Sequence, residues 1–273
     1  MVYLFDSRLK SKIERASWFI IYIIPVFTLS YAPSPKNILE FSVLFILAIF
    51  SFFSLYEVGY IENDIKTTIN ESNPTIRIEN EKQNFLRKNY YFIQNSKIIV
   101  MLILLFFANF VSNEFGINLH WLSFISCLVF IRIAFYAHNK FRNRLNILTF
   151  LCLSIGKYFS LILLFLPLYN YHILFVLTFF MFPFLRTLEH ATKPKYNLPK
   201  LIKFLGNLDI FRVKYYSVMF LSSLVIFFIF QNYYSLLSVL VMAYFLIYRS
   251  SALFFISKKS DSIDTMRKNR YLK

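Results

Sequence analysis

The chain has 273 residues, of which 58% are hydrophobic and 16% charged, and its mean hydropathy is +0.54. Ordinary soluble domains carry about 25% charged and about 45–50% apolar residues, so this composition excludes that class. The net charge of +16 would suit a nucleic-acid partner, but the basic residues lie in loops beside long apolar runs. This is the positive-inside pattern of membrane proteins. We therefore expect a membrane surface with anionic head groups as the partner, and no nucleic acid.

The apolar residues come in blocks long enough to cross a bilayer, which takes about 20 residues per helix. The pattern predicts an all-α fold, a polytopic membrane helical bundle of about eight (eight or nine) transmembrane helices. It forms a single integral membrane domain over residues 1–273. The predicted helices cover residues 18–31, 38–61, 98–111, 119–136, 147–168, 173–188, 215–230 and 233–256.

Lys and Arg residues alternate between the connections. The short connections after the first, third, fifth and seventh helices hold one base, Lys36, whereas the others are rich in bases. The pattern predicts a multi-pass protein of the cell inner (plasma) membrane with both termini in the cytoplasm. The long polar segments 62–96 and 186–214 would be cytoplasmic loops that cap the active site. Because they follow the second and sixth helices, we expect two four-helix halves with the same orientation.

A line of acids marks the end of the second predicted helix. Glu57, Asp64 and Glu71 are each seven residues apart, which places them on one helix face. Asp64 and Glu71, with Asn63, offer the oxygen ligands that Mg²⁺ takes together with substrate phosphates, and Arg77 could pair with those phosphates. The alternative is a solvated helix end with ordinary salt bridges to Lys66 and Arg77.

This stretch, ENDIKTTINESNPTIR, resembles the first aspartate-rich motif of the UbiA superfamily of intramembrane prenyltransferases, N-D-x-x-D-x-x-x-D followed by Pro and Arg. Asn63 and Asp64 match the leading pair, Thr67 stands where the next Asp belongs, and Glu71 stands at the last acidic position. Pro74 and Arg77 follow with slightly shorter spacing.

A second, weaker resemblance involves Tyr136 and Lys140, which match the family's Y-x-x-x-K-R motif except that Phe141 stands where the Arg belongs. The family's second aspartate-rich motif is missing from the expected region, FLRTLEHATKPKYN, which has Glu189 as its only acid. The family usually has nine helices, whereas we count eight.

The resemblance implies a Mg²⁺-dependent transferase that moves a prenyl group from an isoprenyl diphosphate to a small-molecule acceptor. It implies Asn63, Asp64 and Glu71 as metal ligands. The predicted catalytic residues are Asp64, Arg77 and Lys140, which stand at motif positions, and Arg132, because charges inside a membrane span are usually functional. The predicted substrate-binding residues are Tyr60, Lys157, Glu189, Lys193 and Tyr136.

Charges inside apolar blocks are costly and usually face a bundle interior. Arg132, Lys157 and Arg249 are such residues, and Glu57 is another, which could pair with Lys157. The alternatives for the cations are a structural ion pair or snorkelling to the interface. The pattern of apolar and basic side chains over residues 197–209 predicts an amphipathic interfacial helix.

Two other functions stay open. One branch of the superfamily transfers phosphoribose to a polyprenyl phosphate, and an altered second motif is compatible with that change. A non-catalytic lipid carrier or flippase-type protein would instead use the acids as a gate or a pairing network.

Overall fold

The computed structural model describes residues 1–33, 37–69, 76–141, 143–167 and 172–258. It is 86% helical, and no strand occurs in these ranges. The helices are α1 (Val2–Ser7), α2 (Lys12–Trp18), α3 (Ile24–Tyr31), α4 (Ile38–Ile65), α5 (Asn80–Lys88), α6 (Tyr90–Glu114), α7 (Trp121–Lys140), α8 (Leu145–Phe165), α9 (His172–Phe179), α10 (Leu185–Ala191), α11 (Pro199–Leu205), α12 (Leu208–Phe230) and α13 (Tyr233–Lys258).

Eight helical segments are long and apolar enough to cross a membrane. They are Lys12–Tyr31, Ile38–Ile65, Tyr90–Glu114, Trp121–Lys140, Leu145–Phe165, Leu174–Ala191, Leu208–Phe230 and Tyr233–Phe255. The predicted all-α, multi-pass membrane bundle is therefore confirmed, with eight spans in the described part of the chain.

Two of the spans contain a proline that the helix accommodates with a π-helical turn. Phe19–Ile23 is π-helical immediately before Pro25, and Phe180–Phe184 is π-helical around Pro183. Proline lacks the backbone N–H that the preceding turn would bond, so a local change of hydrogen-bond register is expected there.

The chain divides into two compact units, Met1–Phe175 (unit 1) and Val176–Lys273 (unit 2). The division falls within α9, at the start of the sixth span, whereas the two predicted halves divide after the fourth span. The reason is packing: α8 contacts α3, α4 and α7, so it belongs with the helices before it.

Helix α4 is the centre of unit 1 and packs against α6, α7 and α8 as well as the short helix α1. Its start is capped by Asn37, whose side chain accepts from the Leu39 N–H at 3.0 Å. A Cβ on Gly59 would lie 2.3 Å from the Phe135 ring, so the glycine is what permits the close approach of α4 and α7.

Unit 2 is built around the α12–α13 pair and an aromatic core. The Tyr216 and Phe245 rings stack with centroids 5.0 Å apart, and Phe182 meets Phe245 edge-on at 5.1 Å. The Tyr216 hydroxyl donates to the carbonyl of Met181 at 3.0 Å, which ties the sixth span to α12.

Two helices begin earlier than predicted, and most of the described residues in the two long polar segments are helical. α6 begins at Tyr90 rather than at residue 98, and α12 begins at Leu208 rather than at residue 215. Polar residues in the first turns lower the local hydropathy, so a pattern based on apolar length does not include these turns. The expected amphipathic helix exists as α11, although its Ile202 and Phe204 are exposed and only Leu205 is buried.

Candidate functional site

The acids of α4 lie where four other segments of unit 1 converge on its polar end. Glu57 and Asp64 both turn towards α1, as the seven-residue spacing predicted for one face. Glu57 is fully buried and accepts from the Leu4 backbone N–H at 2.8 Å and from Lys97 Nζ at 2.5 Å. The α4 acids therefore act first as anchors for neighbouring segments.

Asp64 is 2% exposed, and both of its carboxylate oxygens are occupied. Arg8 and Arg77 donate to Oδ1 at 2.9 and 3.1 Å, and the Tyr3 hydroxyl donates to Oδ2 at 2.7 Å. Burial and the negative charge of Asp64 raise the pKa of Tyr3 well above its usual value, so the hydroxyl stays protonated and remains a donor.

Asn63 and Thr67 form a local pair beside this carboxylate. The Thr67 hydroxyl donates to the Asn63 backbone carbonyl and, at 3.2 Å, to the Asn63 side-chain oxygen. The Asn63 amide is 3.4 Å from Asp64 Oδ1. Thr67, at the position where the motif would place a second Asp, thus uses its hydroxyl to hydrogen-bond Asn63 in the last turn of α4.

These contacts do not fit the predicted magnesium site. The oxygens of Asp64 that would bind Mg²⁺ already accept from two guanidiniums and a phenol, and the Asn63 oxygen accepts from Thr67. Within the described ranges no group of three or more His, Cys, Asp or Glu residues could hold a metal ion. Glu71 and Pro74 lie outside the described residues. The magnesium prediction thus depends on the resemblance alone.

A second ion pair joins α4 to α7. Arg132 makes a bidentate contact with Glu62, with N–O distances of 3.0 and 3.2 Å, and the Tyr90 hydroxyl also donates to Glu62. The sequence left a structural ion pair open for Arg132, and this contact is one. Glu62, Tyr90 and Lys97 were missed as site residues because they lie in helical turns that the hydropathy pattern assigned to a loop.

An apolar groove runs from this ion pair along α4, α6 and α7. Its volume is about 310 Å³, and Arg132 is the charged member of its lining. The other lining residues are apolar: Leu55, Met101, Leu102, Leu105, Ile125, Leu128, Val129 and Ile133.

The remaining predicted residues of unit 1 lie in different surroundings. The Arg8 guanidinium lies over the Tyr60 ring at 4.7 Å, so Tyr60 belongs to the Asp64 cluster. Lys157 Nζ lies 4.6 Å from the Tyr22 ring centroid, and the cation paired with Glu57 is Lys97 rather than Lys157. Lys140 contacts the ring of Tyr136 at 5.9 Å on an exposed part of α7.

Glu189 and Lys193 belong to unit 2. Glu189 accepts from Arg186 at 3.0 Å and from Arg212 at 2.5 Å, whereas Lys193 is exposed. The region expected to hold a second acidic motif therefore contributes to an arginine-rich cluster.

The fold and this cluster define a polytopic α-helical membrane protein with an ion-paired, predominantly cationic polar end on unit 1. Comparisons with protein-family models, with curated proteins and with solved structures found no match. Membership of the UbiA superfamily therefore stays a hypothesis carried by the motif residues.

Proposed function

We propose that the polar end of unit 1 binds the phosphate or diphosphate group of an isoprenoid lipid, and that the protein is a UbiA-like intramembrane transferase acting on it. The observation that supports this is a surplus of cations. Three carboxylates, Glu57, Glu62 and Asp64, share the polar end of α4 with six cationic side chains in the described part of unit 1. Four of these cations pair with the carboxylates: Arg8, Arg77, Lys97 and Arg132. The other two make different contacts, since Lys66 lies over the Tyr90 ring and Arg87 donates to the Ile65 carbonyl.

Arg8 and Arg77 are the residues best placed for the phosphate. They share one carboxylate oxygen, so their guanidiniums are held close together, and Nη1 of Arg8 is shielded without a hydrogen-bond partner. Guanidinium groups match phosphate oxygens in a bidentate geometry, and a paired arginine site recognises more than one oxygen.

The apolar groove that ends at Arg132 supplies a place for the isoprenoid chain. The groove has a volume of about 310 Å³ and a lining of mostly aliphatic side chains. Arg132, its charged lining residue, pairs with Glu62 near the same end of α4 as Asp64. Such a groove binds a lipid tail without polar contacts, while the cations fix the head group.

In prenyl transfer, the allylic C–O bond of the donor breaks, the bond electrons leave with the diphosphate, and a nucleophilic acceptor bonds to the allylic carbon. The proposed role of Arg8, Arg77 and Arg132 is to stabilise the negative charge that develops on the departing diphosphate. Lys140 keeps its predicted catalytic role only if substrate reaches the exposed end of α7. Magnesium, if the donor brings it, would neutralise diphosphate charge.

A non-catalytic lipid carrier is the second candidate, and one observation favours it. All three carboxylates at the α4 end are engaged with cations, which is the pairing network expected for that function. Phosphoribosyl transfer to a polyprenyl phosphate would use the same lipid phosphate site, with the phosphoribosyl diphosphate as donor.

The experiment incubates membranes containing the protein with labelled prenyl diphosphate or labelled phosphoribosyl diphosphate, with and without Mg²⁺, followed by lipid extraction. Transfer of the prenyl label to an acceptor supports the main proposal, and entry of the phosphoribosyl label supports the second branch. If neither label appears in a new product while the lipid phosphate still binds, the carrier function is favoured and transfer is wrong.

A further inference from the structure

Unit 2 contains a cluster of arginines contributed by three helices. Arg186 of α10 and Arg212 of α12 both contact Glu189, at 3.0 and 2.5 Å, and Arg212 also contacts Asp209 at 2.8 Å. Arg249 of α13 lies within electrostatic range of Arg212, Arg186 and Glu189. Three positive and two negative side chains leave the cluster with one uncompensated positive charge.

Arg249 is the member that no carboxylate neutralises. Its Nε is shielded from solvent without a hydrogen-bond partner, and no ion pair reaches it from any residue that the structure describes. Its guanidinium lies 5.3 Å from the centroid of the Tyr248 ring, a contact that offers no acceptor. Arg212 and Arg186 repel it while Glu189 attracts it, so an additional anion beside Arg249 would offset the remaining repulsion.

The surroundings place this cluster at the polar end of membrane helices. Arg212 lies in the first turns of α12, shortly after α11, which exposes Ile202 and Phe204 beside Lys200 and Lys203. Exposed apolar side chains beside lysines are typical of a helix that lies in the lipid head-group layer. A phosphate-bearing molecule at that depth could reach the arginines.

We propose that Arg249, together with Arg212 and Arg186, forms a second phosphate-binding site within unit 2. The guanidinium of Arg249 would donate to phosphate oxygens, and the other two arginines would add charge while held in place by Glu189. The ligand is either the phosphate of an anionic phospholipid or a soluble phosphate. The site goes beyond the function proposed for unit 1, because none of its residues belongs to the Asp64 cluster.

The test uses the purified full-length protein and four variants: Arg249→Gln, Arg249→Lys, Lys214→Gln as a matched control, and Arg8→Gln. Lys214 is an exposed cation on α12 outside the cluster. Each variant at position 249 or 214 is made in the parent chain and in the Arg8→Gln chain. That background removes the contribution of the unit 1 site and keeps the two proposals separable.

Two measurements distinguish the sources of phosphate. Binding of labelled inorganic pyrophosphate is measured in detergent, and thermal stability is measured in nanodiscs of phosphatidylglycerol against phosphatidylcholine. Arg249→Gln should show at least one of two effects, since it removes charged hydrogen bonds. Either its affinity for pyrophosphate falls about tenfold or more, or it loses the gain in melting temperature that phosphatidylglycerol gives the parent. Arg249→Lys should fall between parent and Gln, and Lys214→Gln should match the parent.

The proposal is wrong if Arg249→Gln binds pyrophosphate and gains stability from phosphatidylglycerol as the parent does. It is also wrong if the parent responds to neither phosphate source. If Arg249→Gln does not fold, Arg249→Lys decides the matter: it keeps the charge and loses the planar fork, so unchanged binding in it would equally contradict the proposal.

Discussion

Lys97 of α6 donates to the fully buried carboxylate of Glu57 on α4 at 2.5 Å. Because the Lys97 side chain is itself mostly shielded, at 23% exposed, this contact is an ion pair between two membrane helices rather than a solvated surface bridge. The pair joins α4 to α6 at the same carboxylate that accepts a hydrogen bond from the Leu4 backbone N–H of α1.

We predict that Lys97→Met destabilises the protein strongly, by about 3 kcal/mol, because it removes the closer of the two cations that contact a buried carboxylate, the other being the Met1 ammonium at 3.7 Å. The double variant Glu57→Leu/Lys97→Met should be less destabilised than Lys97→Met alone, since it removes both charges. Thermal unfolding in detergent, followed by size-exclusion chromatography, measures this difference. Additive losses in the double variant would show that the two residues are not coupled.

We predict that Asp64→Asn releases α1. The carboxylate holds Tyr3 and Arg8, and an amide keeps the shape without the charge, so limited proteolysis should cut after Arg8 faster than in the parent. Lys10→Gln, which alters an exposed neighbouring cation, serves as the control. If EDTA treatment of the parent produced the same release, a bound metal rather than the ion pairs would be holding α1.

The same anchoring should depend on pH through Tyr3. Burial raises the pKa of Tyr3, so its stabilising contribution is fully present below the unfolded-state pKa of about 10 and is lost as pH rises further. Protease release of α1 should therefore increase above about pH 10 in the parent. Tyr3→Phe should show faster release already at neutral pH and a weaker additional rise, whereas identical profiles in both would contradict the assignment.

The close approach of α4 and α7 at Gly59 gives a test of packing. Gly59→Ala places a methyl group 2.3 Å from the Phe135 ring, so the helices must separate and the melting temperature should fall. Gly59→Ala/Phe135→Ala removes the clash. The double variant should therefore lose less stability than the sum of its single changes, and simple additivity would mean that the two side chains do not meet.

Sequence reasoning was most successful where hydropathy decides structure. All eight spans follow from apolar length, because a membrane imposes that length directly. The shared face of Glu57 and Asp64 was also predictable, since it follows from helix geometry.

The partners of the acids were not predictable in the same way. Tyr3 and Arg8 lie about 60 residues before Asp64, and only the docking of α1 against α4 brings them together. Lys97 was assigned to a loop because its neighbours are polar, although it lies one turn or more inside α6. Long-range charge pairing depends on tertiary packing, which a local motif does not encode.

The groove predicts a steric effect on lipid binding. Val129→Trp would fill part of the groove that ends at Arg132, so binding of a prenyl diphosphate should weaken about tenfold while the fold persists. Val43→Trp, also on an exposed apolar surface but lining no groove described here, should bind as the parent does. Equal binding by both variants would place the isoprenoid chain elsewhere.

The most direct test of the central claim is equilibrium binding of labelled farnesyl diphosphate to the purified protein. The parent and Lys10→Gln should bind alike, whereas Arg8→Gln and Arg77→Gln should each bind about tenfold or more weakly, because each removes charged hydrogen bonds to the diphosphate. Each variant's fold is checked by its elution volume. Unchanged affinity in both folded arginine variants would contradict a phosphate site at the polar end of α4.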